Sequence, residues 1–187
     1  MIWVIAMTFY YFAYGSNMLT ERLKARNRCP GATVCGCAFA EGAIIEFSKR
    51  SVDGSGKATL GRAVGQHTPG VLFKIPNSES YNLDRAEGAG NGYHRCEAFP
   101  VRRFGSEALV EAVTYIAKSP KAHLKPYDWY LALVIAGAKQ HSLGDDYIAK
   151  LRREPYTLDE CSTRDTRKEA IVALRAAGFP DYRELLG

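Results

Sequence analysis

The run Tyr10-Tyr11-Phe12-Ala13-Tyr14 reads as a buried strand, and it breaks off at Gly15-Ser16-Asn17-Met18 before a segment, Leu19 to Arg26, that reads as a helix. No other stretch constrains the chain as tightly. Gly15 permits a positive φ or a close backbone approach, and Ser16 and Asn17 are strong helix N-cap types with free side-chain donors and acceptors. A strand, a short polar loop and a helix start in immediate succession leave several backbone N–H groups unpaired and aimed at one spot. Such a spot suits a small anion or a developing oxyanion. The same residues also suit an ordinary strand-to-helix turn, and this stretch by itself does not separate the two.

With 187 residues, 47% of them hydrophobic, the chain is long enough for one domain with a full core and slightly short for two. A single domain over 1–187 is expected, with 155–187 as a helical C-terminal extension. The net charge of +5 is spread over mixed runs such as Glu21-Arg22-Leu23-Lys24-Ala25-Arg26. Mixed signs usually mean solvated faces, so no nucleic-acid surface is expected. The apolar start Met1-Ile2-Trp3-Val4-Ile5-Ala6-Met7 lacks a basic region and a small-residue cleavage site, and reads as a lead-in to the first core strand. It is too short to span a bilayer, so no membrane partner is expected and the cytoplasm follows as the default compartment.

Five cysteines, Cys29, Cys35, Cys37, Cys96 and Cys161, are an odd number for a disulfide framework. Cys35-Gly36-Cys37 has one spacer residue where common zinc half-sites have at least two. Reduced thiols in a reducing compartment are expected. The four histidines are scattered, so no metal is expected.

Further along, Ala32 to Ala40 and Ala43 to Ser48 read as two strands parted by Glu41-Gly42. Gly54-Ser55-Gly56-Lys57 resembles a fragment of a phosphate-binding loop but fails the full spacing, with Ala58 where a Ser or Thr is required. Thr59 to Gln66 and Pro69 to Ile75 suggest a hairpin turning at Gln66-His67-Thr68. Asn77 to Gly88 reads as a short capped helix stopped by Gly88, which puts Glu87 at its C-terminal end. The partial negative charge of a helix C-terminus repels a carboxylate. A carboxylate placed where it costs stability is a candidate general base, although an exposed helix-end Glu is commonplace. Tyr93 to Phe104 and Ala108 to Lys118 read as a long antiparallel pair. Helices are expected over Tyr127 to Gln140, too apolar for a surface helix, from Leu143 to Arg153, and from Thr166 to Ala177.

Three separated segments carry a resemblance. They are Tyr11-Phe12-Ala13-Tyr14-Gly15-Ser16-Asn17-Met18-Leu19; Leu83-Asp84-Arg85-Ala86-Glu87-Gly88 followed by Gly92-Tyr93; and Tyr130 with Gly137-Ala138-Lys139 before Leu143-Gly144-Asp145-Asp146-Tyr147-Ile148. In this order and spacing, from about Tyr11 to Leu151, the chain resembles the γ-glutamylcyclotransferase family. The resemblance implies an α+β fold, a small closed mixed β-barrel of about six strands surrounded by helices. It also implies release of 5-oxoproline from a γ-glutamyl amino acid or γ-glutamyl amine, a small-molecule substrate, without a cofactor. In that chemistry the substrate's own α-amine attacks its γ-carbonyl, so the enzyme supplies folding of the substrate, base catalysis and an oxyanion site. By resemblance Glu87 is the base and acid. The backbone of Tyr11, Phe12, Ala13, Tyr14, Gly15 and Ser16, with Asn17 adjoining, holds the glutamyl group and the charge developing on the carbonyl, and Tyr130 lines the pocket to bind the substrate carboxylate or orient Glu87. His94-Arg95 and the segment after Pro155 match nothing in the resemblance, and the leaving amine stays open. A monomer or weak homodimer is the plain expectation. Two other readings remain at this level: a non-catalytic barrel that binds γ-glutamyl compounds, and a transferase or hydrolase handing the γ-glutamyl group to another amine or to water.

Overall fold

In the computed structural model, which describes residues 7–187, the aromatic run forms strand β1 (Thr8–Ala13), exposed at Thr8 and fully buried from Tyr11 onward. Four further strands follow: β2 (Thr33–Arg50), β3 (Gly56–Pro76), β4 (Tyr93–Arg103) and β5 (Leu109–Ala117). They close into a barrel in the order β1-β3-β2-β4-β5. All pairings are antiparallel except that of β1 with β5, which is parallel at Tyr11 and Val113. Closure through β1 removes the exposed edges an open sheet would carry. Residues 1–6 of the expected apolar lead-in lie outside the described residues.

The barrel has five strands and not about six, because two segments that read as strand pairs are each continuous. Glu41-Gly42 does not end β2. It is a bulge at which the register against β3 shifts, with Gly42 at φ 64°. Nor does Gln66-His67-Thr68 turn: His67 and Thr68 pair with Glu41 and Ala40. Pairing resumes on either side of the bulge, at Glu41 with His67 and at Ala43 with Arg62, so polar and glycine residues do not end the strand. The true hairpin turn lies at 51–55, where the Ser51 N–H donates to the Ser55 carbonyl at 2.9 Å.

Among the described residues five α-helices surround the barrel: α1 (Thr20–Leu23), α2 (Ser80–Glu87), α3 (Asp128–Gln140), α4 (Asp145–Arg152) and α5 (Asp165–Ala176). The first is shorter than its sequence suggests. The Cys29 N–H reaches back to the Leu23 carbonyl at 3.0 Å, which turns the chain before Arg26. Helix α3 is buried from Asp128 through Ala138, as its uniform apolarity predicts. Its Gly137 lies against the polar loop so closely that a Cβ there would sit 2.6 Å from the Met18 Cβ and 2.7 Å from the Leu19 nitrogen. The segment after Pro155 is tied to the start of α3. Trp129 Nε1 donates to Asp159 at 2.8 Å, Tyr182 donates to Asp128 at 2.8 Å, and Arg164 pairs with Asp159 at 2.7 Å. No helix among the described residues is long and apolar enough to cross a membrane.

Because Met18 and Leu19 leave no room for a methyl group at Gly137, Gly137→Ala is expected to destabilise the protein by about 1 to 3 kcal/mol. Urea unfolding measures this. An unchanged or raised midpoint would show that the loop does not depend on that close approach.

Candidate active site

Helix α2 ends as its sequence suggests. Gly88 takes the left-handed conformation at φ 65°, and the Ala89 N–H returns to the Asp84 carbonyl at 2.8 Å. This stop leaves Glu87 on the last turn, half-buried. The helix is fixed to the barrel one turn earlier by Asp84, whose Oδ1 accepts from the Tyr115 hydroxyl at 2.6 Å and from Arg95 at 2.9 Å. Arg95 and Tyr115 face each other across β4 and β5. Arg95, which nothing in the sequence marked, thus braces the helix that presents Glu87.

The Glu87 carboxylate is held on one side only. Its Oε1 accepts from the Tyr11 hydroxyl and from Asn17 Nδ2 at 2.7 Å. Its Oε2 accepts no hydrogen bond among the described residues. Burial and the adjacent Glu87 charge push the Tyr11 phenol well above its ordinary pKa, so Tyr11 stays protonated and donates. Asn17 is itself steadied by Arg28, which donates to Oδ1 at 3.3 Å.

Glu87 lines a small, partly open cavity together with Tyr11, Tyr14, Gly15, Ser16, Asn17 and Tyr130. Gly15 is used for close approach: its φ is −109°, and a Cβ there would meet the Ala58 Cβ at 3.1 Å. Neither Ser16 nor Asn17 caps a helix. Gly15 precedes the 3₁₀ turn Ser16–Met18, Leu19 precedes α1, and no side chain caps either. The side chains serve the site instead, with Ser16 Oγ accepting from Arg22 at 3.2 Å. None of the turn and capping hydrogen bonds among the described residues is donated by the backbone N–H of Gly15, Ser16 or Asn17. The three residues that carry these donors line the cavity.

Of the residues expected at the site, Phe12 and Ala13 do not line the cavity. Strand alternation turns the Phe12 ring away from Tyr11 to pack beside Phe99. Tyr130 lines the cavity but does not touch Glu87: its hydroxyl accepts from the Ala58 N–H at 3.1 Å. Tyr11 and Asn17 make the contacts that orient Glu87. Tyr93, Thr114 and Tyr115 complete the wall and were not anticipated as site residues. On strands, aromatic and β-branched residues read as core, and nothing local distinguishes a cavity wall from a packed interior.

A wider vestibule adjoins the cavity, and Ser16, Asn17, Glu87, Tyr93 and Tyr130 line both. Its rim carries Arg22, Arg28, Lys49, Lys57 and Arg85. Burial pulls the Lys57 ammonium down to about 8 against the opposing pull of Asp53, and it lies 4.4 Å from the centre of the Tyr130 ring. Burial, together with the nearby Arg28, lowers Arg22 to about 10, which leaves it charged at neutral pH.

Residues 67–151 match the model of the AIG2-like family. The γ-glutamylcyclotransferase of Mus musculus is 32% identical over 153 residues, covering 78% of this chain and 78% of that protein. The Homo sapiens protein of the same name is 31% identical over 153 residues, again covering 78% of each. Among solved structures, a γ-glutamyl cyclotransferase superposes with a TM-score of 0.79 at 25% identity, covering 89% of this chain and 99% of that one.

The link between Tyr11 and Glu87 is testable without reference to any activity. In urea unfolding, Tyr11→Phe and Glu87→Ala are expected to be non-additive, with a coupling of about 1 to 3 kcal/mol, as for a hydrogen bond to a charged group. Simple additivity would mean that the carboxylate is not held by the phenol.

Proposed function

We propose that this chain, an enzyme belonging to the γ-glutamylcyclotransferase family, releases 5-oxoproline from a γ-glutamyl amino acid or amine, with Glu87 moving the proton. The observation that carries the reading is the one-sided bonding of Glu87 in a tyrosine-lined cavity. Oε1 is anchored by Tyr11 and Asn17, and Oε2 remains free to meet a substrate proton. In the proposed sequence the substrate α-amine attacks its own γ-carbonyl carbon, forming the C–N bond of a five-membered ring. Oε2 removes the proton that the nitrogen sheds on bonding. The carbonyl electron pair moves to oxygen, and in this reading the N–H groups of Gly15, Ser16 and Asn17, none of which donates a turn or capping hydrogen bond among the described residues, receive that charge. Collapse of the intermediate expels the second amine, which takes the proton back from Glu87. One carboxylate serves both transfers.

The reaction asks for no side-chain nucleophile, and the cavity offers no activated one. Ser16 Oγ is engaged by Arg22 and has no histidine beside it. Tyr14, Tyr93 and Tyr130 frame the space that folds the glutamyl group. The hydroxyls of Tyr93 and Tyr130 are fixed by the two backbone groups of Ala58, at 2.6 and 3.1 Å. The free state of all five cysteines fits a reducing, cytoplasmic compartment.

Glu87→Gln keeps the size of the side chain and removes the base. It is expected to lower the rate of 5-oxoproline release from γ-glutamyl substrates by about 100- to 10,000-fold while the fold is retained, as judged by circular dichroism. Release of free glutamate in place of 5-oxoproline by the unaltered protein, or full activity in the Gln variant, would overturn the reading.

A further inference from the structure

The charge of the vestibule is not accounted for by the glutamyl group alone. Five cations from four segments converge on its rim: Arg22 on α1, Arg28 just after it, Lys49 on β2, Lys57 on β3 and Arg85 on α2. The opposing carboxylates are few. Lys57 pairs with Asp53 at 3.4 Å, and no ion pair involves Arg22, Arg28, Lys49 or Arg85 among the described residues. Glu87 is the one acidic residue lining the vestibule. Lys49 is laid out for contact rather than dangling in solvent. Its stem packs on Gly92, 2.9 Å from where a Cβ would stand, and its ammonium lies 5.0 Å from the centre of the Tyr93 ring. Holding half-buried like charges together costs free energy, and an anion bound among them recovers it.

The cavity is small, lined mainly by tyrosines and the loop, and holds Glu87, so the glutamyl group that must cyclise is assigned to it. The vestibule begins where Glu87, Tyr93 and Tyr130 end the cavity, so it receives whatever is attached beyond the γ-carbonyl. Resting on the cyclotransferase reading above, we infer that the leaving amine is an amino acid whose side chain carries a second anionic group, held at the vestibule rim with Lys49 as its central contact. A γ-glutamyl dipeptide with a neutral second residue brings one carboxylate to this region, whereas an acidic second residue brings two. A polyamine leaving group would bring positive charge to a cationic rim and is disfavoured by the same argument.

Steady-state 5-oxoproline release separates these cases, using γ-glutamylglutamate, γ-glutamylphosphoserine, γ-glutamylalanine and γ-glutamylputrescine at low and high salt. The expected order in kcat/KM places the two acidic substrates at least about tenfold above γ-glutamylalanine, with γ-glutamylputrescine last, as for loss of a charge-assisted hydrogen bond. The better of glutamate and phosphoserine tells whether the second anion is a carboxylate or a phosphate. The advantage should shrink as salt rises. Lys49→Met should compress the ratio of acidic to neutral substrate, and Lys49→Glu should shift preference toward the putrescine compound. Should Lys49→Glu fail to fold, the Met variant and the salt series still decide the matter. Turnover of γ-glutamylalanine equal to that of the acidic substrates, with Lys49→Met lowering both alike, overturns the inference and leaves the cyclotransferase reading standing. An absence of 5-oxoproline from every substrate overturns both.

Discussion

Two hydrogen bonds onto one carboxylate oxygen join parts of the chain that lie 76 and 70 residues apart, and the site depends on them. Glu87 rides on a helix end, where the dipole disfavours a negative charge. The donors that offset this come from β1 and the loop after it, so the strand, the loop and α2 must all be in place before the carboxylate is satisfied. Each of the three is pinned separately. β1 is paired on both sides by β3 and β5, the loop is pressed by Gly137 of α3, and α2 is braced through Asp84 by Tyr115 and Arg95. The parts of the site sit on different walls of a closed barrel, each held by contacts that are not its own chemistry.

Much of this was legible in the sequence. The aromatic strand ending in Gly15-Ser16-Asn17 and the helix stopped by Gly88 carry strong local signals, and both stand where their residues put them. What failed was punctuation inside the long strands. Gly42 and the run Gln66-His67-Thr68 have turn chemistry, but the pairing of Glu41 with His67 and of Ala43 with Arg62 carries both strands past a bulge, and pairing across a sheet is not a local property. The same limit applies to the Phe12 ring, whose packing beside Phe99 is set by the fold and not by its neighbours in sequence. It also explains the roles of Arg95 and Tyr115, which follow from cross-strand register alone.

The residues after Pro155 illustrate a different kind of illegibility. Their helix was readable, but their purpose was not, because it lies in partners far along the chain. Asp159 receives the Trp129 indole N–H and the Arg164 guanidinium, and Tyr182 reaches Asp128. These contacts fix the first turn of α3, the turn that also carries Tyr130 into the cavity wall. The extension is therefore bonded to the helix that carries Tyr130. The cationic rim was hidden for a related reason: its five members are scattered through mixed-charge runs that look solvated, and folding brings them together.

The central claim is that Oε2 of Glu87 faces the reacting nitrogen while the N–H groups of the loop face the carbonyl oxygen. A crystal structure with 5-oxoproline bound tests it most directly. The account predicts the ring nitrogen within hydrogen-bond reach of Oε2, about 2.7 to 3.2 Å, and the ring carbonyl oxygen toward the N–H groups of Gly15, Ser16 and Asn17. A product ring seated with its carbonyl turned away from that loop, or with its nitrogen out of reach of Glu87, would contradict it.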